Sequence, residues 1–282
     1  MSNNGDARKR AYDVGAQAAR ARIDKEAPHL AEALRAVCGS DIVVVDGCYD
    51  HVHLVLDSMQ MPFVRVPAEA LGRVALRPEQ LLIVNCPGQI ERDAVGRIRQ
   101  FVDDGGSLFS TDWALRHVIE PCFPGTVDYN GTPTRDDVVR IEVTAHDNPF
   151  LRGVMDPSDD PQWWLEGSSY PIRVLDAGVQ VLVRSSELGS RYGEPAVAVR
   201  FEHGRGEVFH MISHYYLQRT ELRTERHAQS SAGWFEEKGV PMPAGAADLC
   251  VGDVESASSS VRLVANLVGE KKSRTLKGSD KS

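Results

Sequence analysis

The residue types able to do chemistry gather in four short polar segments, each close behind an apolar run: Asp46, Cys48, Tyr49, Asp50 and His51; Asn85 and Cys86; Ser110, Thr111, Asp112 and Trp113; and His210 with His214. Two chemistries are open to such a set. A cysteine becomes a nucleophile when an imidazolium or a helix N-terminus lowers its thiol pKa. Cys86, set before Pro87-Gly88 with His210 or His214 as its base, is the candidate. A carboxylate and an imidazole can instead work as an acid–base pair, and Asp112 with His210 or His214 is the candidate for that. Packing competes with both, because free cysteine is commonly buried. A small thiol under a turn outweighs the nucleophile. Asp46, Cys48, Tyr49, Asp50, Asn85, Thr111 and Trp113 are then the candidate ligand contacts around the catalytic set Asp112, His210, His214 and Cys86.

Other pairings are weaker. His51-Val-His53 and His210-x-x-x-His214 have donor atoms but neither a helical HExxH nor a paired CxxC, and His210 falls on a strand, so no metal and no cofactor is expected. Gly204-Arg205-Gly206 joins two strands and precedes no helix, which excludes a phosphate loop. Trp113, Trp163 and Trp164 could line a pocket mouth, although core packing is the commoner fate of any one of them. Asp159-Asp160 reads as a solvated turn.

The elements that must position these residues alternate in type. Ile42–Val45 is a continuous β-branched run suited to a parallel strand covered on both faces. Strands at 63–66, 81–84 and 107–110 follow, with helices at 51–59, 90–103 and 112–119 between and after them, and Gly105-Gly106 stops the second of these helices. The second half is richer in strands, at 138–144, 172–175, 179–184, 196–202 and 207–212, the last two joined by the turn at 203–206. This order predicts an α/β fold, an open and mostly parallel sheet flanked by helices in the flavodoxin-like manner, with antiparallel strands added in the second half. In such sheets ligands bind beyond the carboxyl ends of the strands, where the four polar segments fall. Residues 1–38 form an N-terminal helical arm, for which packing on the domain is favoured over a basic interaction role. The domain runs over 39–269 with a polar insertion at 217–256 and a last helix around 261–268, and 270–282 is a disordered basic tail.

Composition agrees with a globular chain. Hydrophobic residues make up 42% and charged residues 26%, which excludes collagen, coiled coil and wholesale disorder. No apolar run approaches the roughly 20 residues that span a bilayer, and the first ten residues lack the apolar core of a secretory signal. A cytoplasmic location and no membrane partner are expected. Five widely spaced cysteines without a CxxC pair are expected to be reduced thiols. The net charge is −8, yet residues 1–38 carry seven Lys/Arg against five Asp/Glu and residues 270–282 carry five against two, leaving the middle at −13. An acidic body disfavours nucleic acid, whose binding draws on clustered cations.

Segments 81–113 and 204–214 carry a resemblance. The first, a strand ending in a Gly/Pro turn, a helix, a Gly-Gly stop and a further strand into a sharp turn, is similar to the class I glutamine amidotransferase-like superfamily. Gly204-Arg205-Gly206-Glu207-Val208-Phe209-His210 with Ser213-His214 resembles the G-(K/R)-G-x-V-(F/Y) strand of its ThuA-like branch, and residues 261–268 with Asn266 resemble the closing helix. The likeness covers about residues 41–215 and 257–269. It implies the fold more than an activity, because the nucleophile elbow G-x-C-x-G reads Ser110-Thr111-Asp112-Trp113-Ala114 here, placing Asp112 where the family has its cysteine. The family's His-Pro-Glu element is missing after His210, and Cys86 lies one strand earlier, at the family's oxyanion turn. Glutaminase chemistry by the family mechanism is therefore not expected.

The resulting expectation is a non-catalytic amidotransferase-like domain that binds a small-molecule ligand or a protein partner, with homo-oligomer formation left open. The alternative is a hydrolase, sugar-related by analogy with ThuA, using Asp112, His210 or His214 and Cys86. A third reading makes the basic N-terminal helices and tail a tether for an acidic partner.

Overall fold

Ile42–Val45, the first strand (β1), is buried along its whole length, as four β-branched residues require when both sheet faces are covered. The computed structural model describes residues 3–156, 161–214 and 224–279. The Asp159-Asp160 turn and residues 217–223 of the expected insertion lie outside them. Ahead of β1 come helices α1 (Asn3–Glu26) and α2 (Pro28–Arg35). After it the chain runs through α3 (Val52–Ser58), β2 (Val64–Val66), β3 (Leu81–Val84), α4 (Arg92–Asp103) and β4 (Ser107–Thr111). A widened helical turn at Leu115–Ile119 leads into the short α5 (Glu120–Cys122).

β1 pairs in parallel with β2 on one side and β3 on the other, and β3 pairs in parallel with β4. The chain therefore reverses its direction of travel across the sheet between β2 and β3. Right-handed crossovers in opposite directions put α3 and α4 on opposite faces and open a crevice beyond the ends of β1 and β3.

The second half adds β5 (Val127–Tyr129), β6 (Asp137–Arg140), β7 (Glu142–Val143), β8 (Gln162–Leu165), β9 (Ile172–Val174), β10 (Gln180–Arg184), α6 (Ser186–Tyr192), β11 (Ala196–His203) and β12 (Gly206–Met211). β12 lies parallel to β4, then β11, β10 and β7 continue the sheet antiparallel, which bears out the expected mixed α/β architecture. The segment expected as one strand at 138–144 divides: β6 leaves the sheet to pair with β8 in a two-stranded ribbon, while β7 stays at the sheet edge. Trp163 and Trp164 thus sit in a strand. The β11–β12 turn is as expected, with Gly204 at φ +57 against Asp103, where a Cβ would stand 2.6 Å from that residue's Cα.

α7 (Ala232–Lys238) and α8 (Val251–Ser279) complete the chain. The disordered tail expected from residue 270, and the short last helix, are corrected: α8 begins ten residues before the expected start and stays helical through Ser279. Three of its cations are taken up by the domain. Lys271 Nζ donates to the carbonyl oxygens of Pro78 and Gly105, both at 2.6 Å, Lys272 pairs with Asp41, and Arg274 pairs with Glu207. Polarity alone suggests disorder, whereas these ammonium and guanidinium groups cap carbonyls and carboxylates at the amino ends of the strands.

α1 also belongs to the domain. Gly15 abuts α8 so closely that a Cβ would lie 2.7 Å from Ala257 Cβ, and Arg262, almost fully buried in α8, reaches Glu26 of α1 at 3.0 Å. No helix among the described residues is long and apolar enough to cross a membrane.

Candidate functional site

Four loops meet at the crevice: 46–51 after β1, 85–88 after β3, 112–114 after β4, and 212–214 after β12. Asp112 ends β4 at φ +46, a conformation a non-glycine residue adopts only when its surroundings hold it there. They do. Its carboxylate accepts the backbone N–H of Tyr170 at 2.9 Å, the hydroxyl of Ser169 at 3.1 Å and the backbone N–H of Ser213. Ser168 and Ser213, at φ +74 and +69, are the other two strained residues beside it. One carboxylate therefore joins the β4 turn to the 166–170 loop and to the segment after β12.

His214 faces this carboxylate, with Nε2 3.4 Å from Asp112 Oδ2, and its Nδ1 pairs with Glu166 Oε2. Burial disfavours the charged ring, but the Glu166 bond and the nearby Asp50 and Asp112 carboxylates more than offset it and hold the His214 pKa above its ordinary value. Burial acts the other way on Asp112 and pushes it up to about 6, against the pull of His214 and its hydrogen bonds. Cys86 completes the group: its Sγ, a carboxylate oxygen of Asp112 and a ring nitrogen of His214 lie within 4.8 Å of one another.

Cys86 is fully buried. Burial, with Asp112 adding to it, pushes the thiol far above the usual range, against a bond from the Trp113 N–H. Burial and the neighbouring carboxylates thus work against the lowered thiol pKa that nucleophilic chemistry requires.

His210 is placed elsewhere. It faces Ser110 across the β12–β4 pair, Nδ1 2.9 Å from Ser110 Oγ, and complete burial lowers its pKa to about 3. His210 lies inside β12 and projects from a buried face of the sheet beside Ser110, whereas His214, past the end of β12, is the imidazole that stands at the crevice.

The expected ligand contacts divide in the same way. Asn85 is buried and serves the fold, donating to the carbonyl of Val45 and accepting the N–H of Val52. Thr111 Oγ1 accepts the Cys86 N–H, and Asp46 is paired with Arg65 at 2.8 Å. Cys48 is exposed. Asp50 is buried and near enough to His214 to affect its charge. Tyr49 and Trp113 border the group directly. Tyr49 stacks on His214 with ring centres 6.2 Å apart and meets Trp113 edge-on at 5.4 Å, and Trp113 stacks in turn on Tyr170, which stacks on Tyr129. The result is a row of partly exposed rings leading to a buried acid–imidazole pair. Trp163 and Trp164 do not join it; with Met211, Trp234 and His214 they line a cavity of about 240 Å³.

Glu166, Ser169, Tyr170 and Tyr129 are not identifiable as site residues from the sequence. The only signal for the first three is the Glu-Gly-Ser-Ser-Tyr-Pro run shortly after two tryptophans, whose polar residues could equally have made a solvated loop, and Tyr129 has none.

No protein-family model matches the chain, and no curated protein matches it. Solved structures do. A candidate GMP synthase subunit from Thermoplasma acidophilum superposes with a TM-score of 0.51 at 13% identity, covering 86% of this chain and 97% of that one. A candidate ThuA-like protein from Bacteroides uniformis gives 0.43 at 11% identity, covering 62% and 82%. An exo-β-1,4-mannosidase from Opitutaceae bacterium strain TAV5 gives 0.44 at 13% identity over 66% of this chain and 33% of that one, so this chain spans about a third of the mannosidase. The Thermoplasma structure shares this chain's α/β fold, a mostly parallel sheet flanked by helices. Likeness at these identities concerns the fold alone.

Proposed function

We propose that this chain is a ligand-binding domain on an amidotransferase-like scaffold, in which Asp112 takes the position of the nucleophilic cysteine and the crevice receives a small molecule. The observation that carries this reading is the bonding of Asp112. A carboxylate that accepts from Tyr170, Ser169 and Ser213 is committed to holding three loops in place, and the burial of Cys86 beside it works against an activated thiolate. The ring row suits a ligand with a flat or ring-shaped face, which would stack on Tyr49 and Trp113 and place a donor group against Glu166.

The test is a thermal-shift and calorimetric screen of ring-bearing metabolites on the full chain, repeated on Tyr49→Ala and Trp113→Ala. Ligands that stabilise the parent and lose at least tenfold in affinity on either substitution support the reading. Ligands whose binding both substitutions leave unchanged would remove it. Hydrolysis of a screened ester or glycoside that disappears in Asp112→Asn would favour the hydrolase instead.

A further inference from the structure

We infer that Cys86, Asp112 and His214 form a binding site for a divalent transition-metal ion of the zinc type. The inference rests on the same crevice as the proposed ligand site and goes beyond it in chemistry. Three donors of different kinds, a sulfur, a carboxylate oxygen and an imidazole nitrogen, come from the ends of β3, β4 and β12 and lie within 4.8 Å of one another. A tetrahedral ion with bonds of roughly 2.0 Å to N and O and 2.3 Å to S holds such donors roughly 3.3–3.6 Å apart. The Asp112 to His214 separation, 3.4 Å, already has that value.

A second observation concerns His214 alone. The side chain is only 7% exposed, yet neither ring nitrogen makes a well-formed hydrogen bond, Nδ1 lying against Glu166 and Nε2 facing Asp112. A buried imidazole nitrogen without a hydrogen bond is costly unless something else takes its lone pair. Glu166 beside Nδ1 leaves Nε2 on the side of Asp112 and Cys86, the carboxylate–histidine arrangement that supports metal-bound imidazoles. The surroundings of the other two donors fit as well. Asp112 is held by Ser169 and Tyr170, as ligating carboxylates are, and the backbone N–H of Trp113 toward Cys86 Sγ offsets part of the burial that a bare thiolate would meet, the charge of the ion having to supply the rest.

Binding breaks the Cys86 S–H bond and forms S–metal, with the proton leaving to water, and any proton on His214 Nε2 leaves the same way. One thiolate and one carboxylate then balance the two charges of the ion, and the neutral imidazole completes three protein ligands. Three protein ligands leave a fourth position for water or for a donor group of the bound molecule.

Cobalt(II) is the probe. The full chain, stripped with chelator and reduced, should take up one equivalent, with a near-ultraviolet sulfur-to-cobalt band and the visible absorption of a four-coordinate ion, both abolished by zinc(II). Cys86→Ser should lose the sulfur band, His214→Gln should weaken binding at least tenfold, and Cys250→Ser should change neither, although Cys250 and Asp253 form a rival donor pair at 3.2 Å. X-ray absorption on the zinc-loaded parent, which needs no variant to fold, should show one sulfur in the first shell. Absence of sulfur there, or a cobalt band that survives in folded Cys86→Ser, would overturn the inference. Tyr49→Ala and Trp113→Ala should keep the metal while losing the organic ligand, so either proposal can fail without the other.

Discussion

The backbone N–H of Tyr170 donates to Asp112 Oδ1 at 2.9 Å across 58 residues of chain, so the loop after β8 is held by the end of β4. Asp112→Ala leaves that N–H, the Ser169 hydroxyl and the Ser213 N–H without their acceptor in a buried place. A loss of about 3 kcal/mol is expected, and about 1 kcal/mol for Asp112→Asn, which keeps one oxygen. Urea unfolding measures both. An alanine variant as stable as the parent would mean that the loops are held by something else.

Native alkylation separates the thiols. Cys38 and Cys48 are exposed, whereas Cys86 and Cys122 are buried and their thiols are pushed up, Cys122 to about 12. Peptide mapping after brief iodoacetamide treatment at neutral pH should find label on Cys38 and Cys48 and none on Cys86 or Cys122 until denaturant is added. Fast labelling of Cys86 in the native protein would restore the thiol nucleophile.

Gly15→Ala decides the status of the first helix by the sign of its effect. In a free helical arm the change stabilises, by up to about 1 kcal/mol, because alanine is the better helix former. Against α8 a Cβ would meet Ala257 Cβ at 2.7 Å and the Ser258 backbone nitrogen at 2.8 Å. A loss of about 1–3 kcal/mol is expected from that overpacking, read as a lower melting temperature.

Acid sensitivity should trace to His210. Its pKa is lowered by burial from 6.5 to about 3, so between these values the unfolded chain binds a proton that the folded chain refuses. Stability from this residue is whole above about pH 6.5 and is lost as pH falls toward 3. Asp112, raised from 3.8 to about 6 by burial, acts with the opposite sign, its contribution falling as pH rises through that interval. Urea midpoints between pH 4 and 7 should decline on acidification in the parent and decline less in folded His210→Asn; equal slopes would assign the acid response elsewhere.

The parallel half of the sheet was legible because buried parallel strands are written as unbroken β-branched or aliphatic runs, as in Ile42–Val45 and Leu81–Val84. From those runs the loop positions of Asp112, Cys86 and His214 followed. Side-chain direction did not. His210 and His214 are four residues apart, and only the point where β12 stops, at Met211, leaves one on a buried sheet face and the other at the crevice. Glu166 and Tyr170 were hidden for a different reason: their approach to Asp112 depends on the β6–β8 ribbon, a pairing between segments separated by more than twenty residues that no local pattern encodes. The helical tail stays hidden because Lys271 and Arg274 look like solvent-facing charges until the carbonyls and the carboxylate that receive them are in view.

The seam between Gly15 and Ala257 also sets an order of events during synthesis. α1 leaves the ribosome long before α8 exists, with Ala11, Tyr12, Val14 and Ala18, all buried in the finished fold, lacking the surface that covers them. Its 24 residues include Gly5 and Gly15 and carry alternating charges, which suits a segment that must wait in water without aggregating. The parallel strands need not wait for α8, whereas the seam between α1 and α8 can close only once the chain beyond residue 251 has been made. A nascent chain arrested before residue 251 should therefore present a formed sheet and an unclaimed N-terminal helix, the state in which a chaperone that binds apolar helical faces would find it.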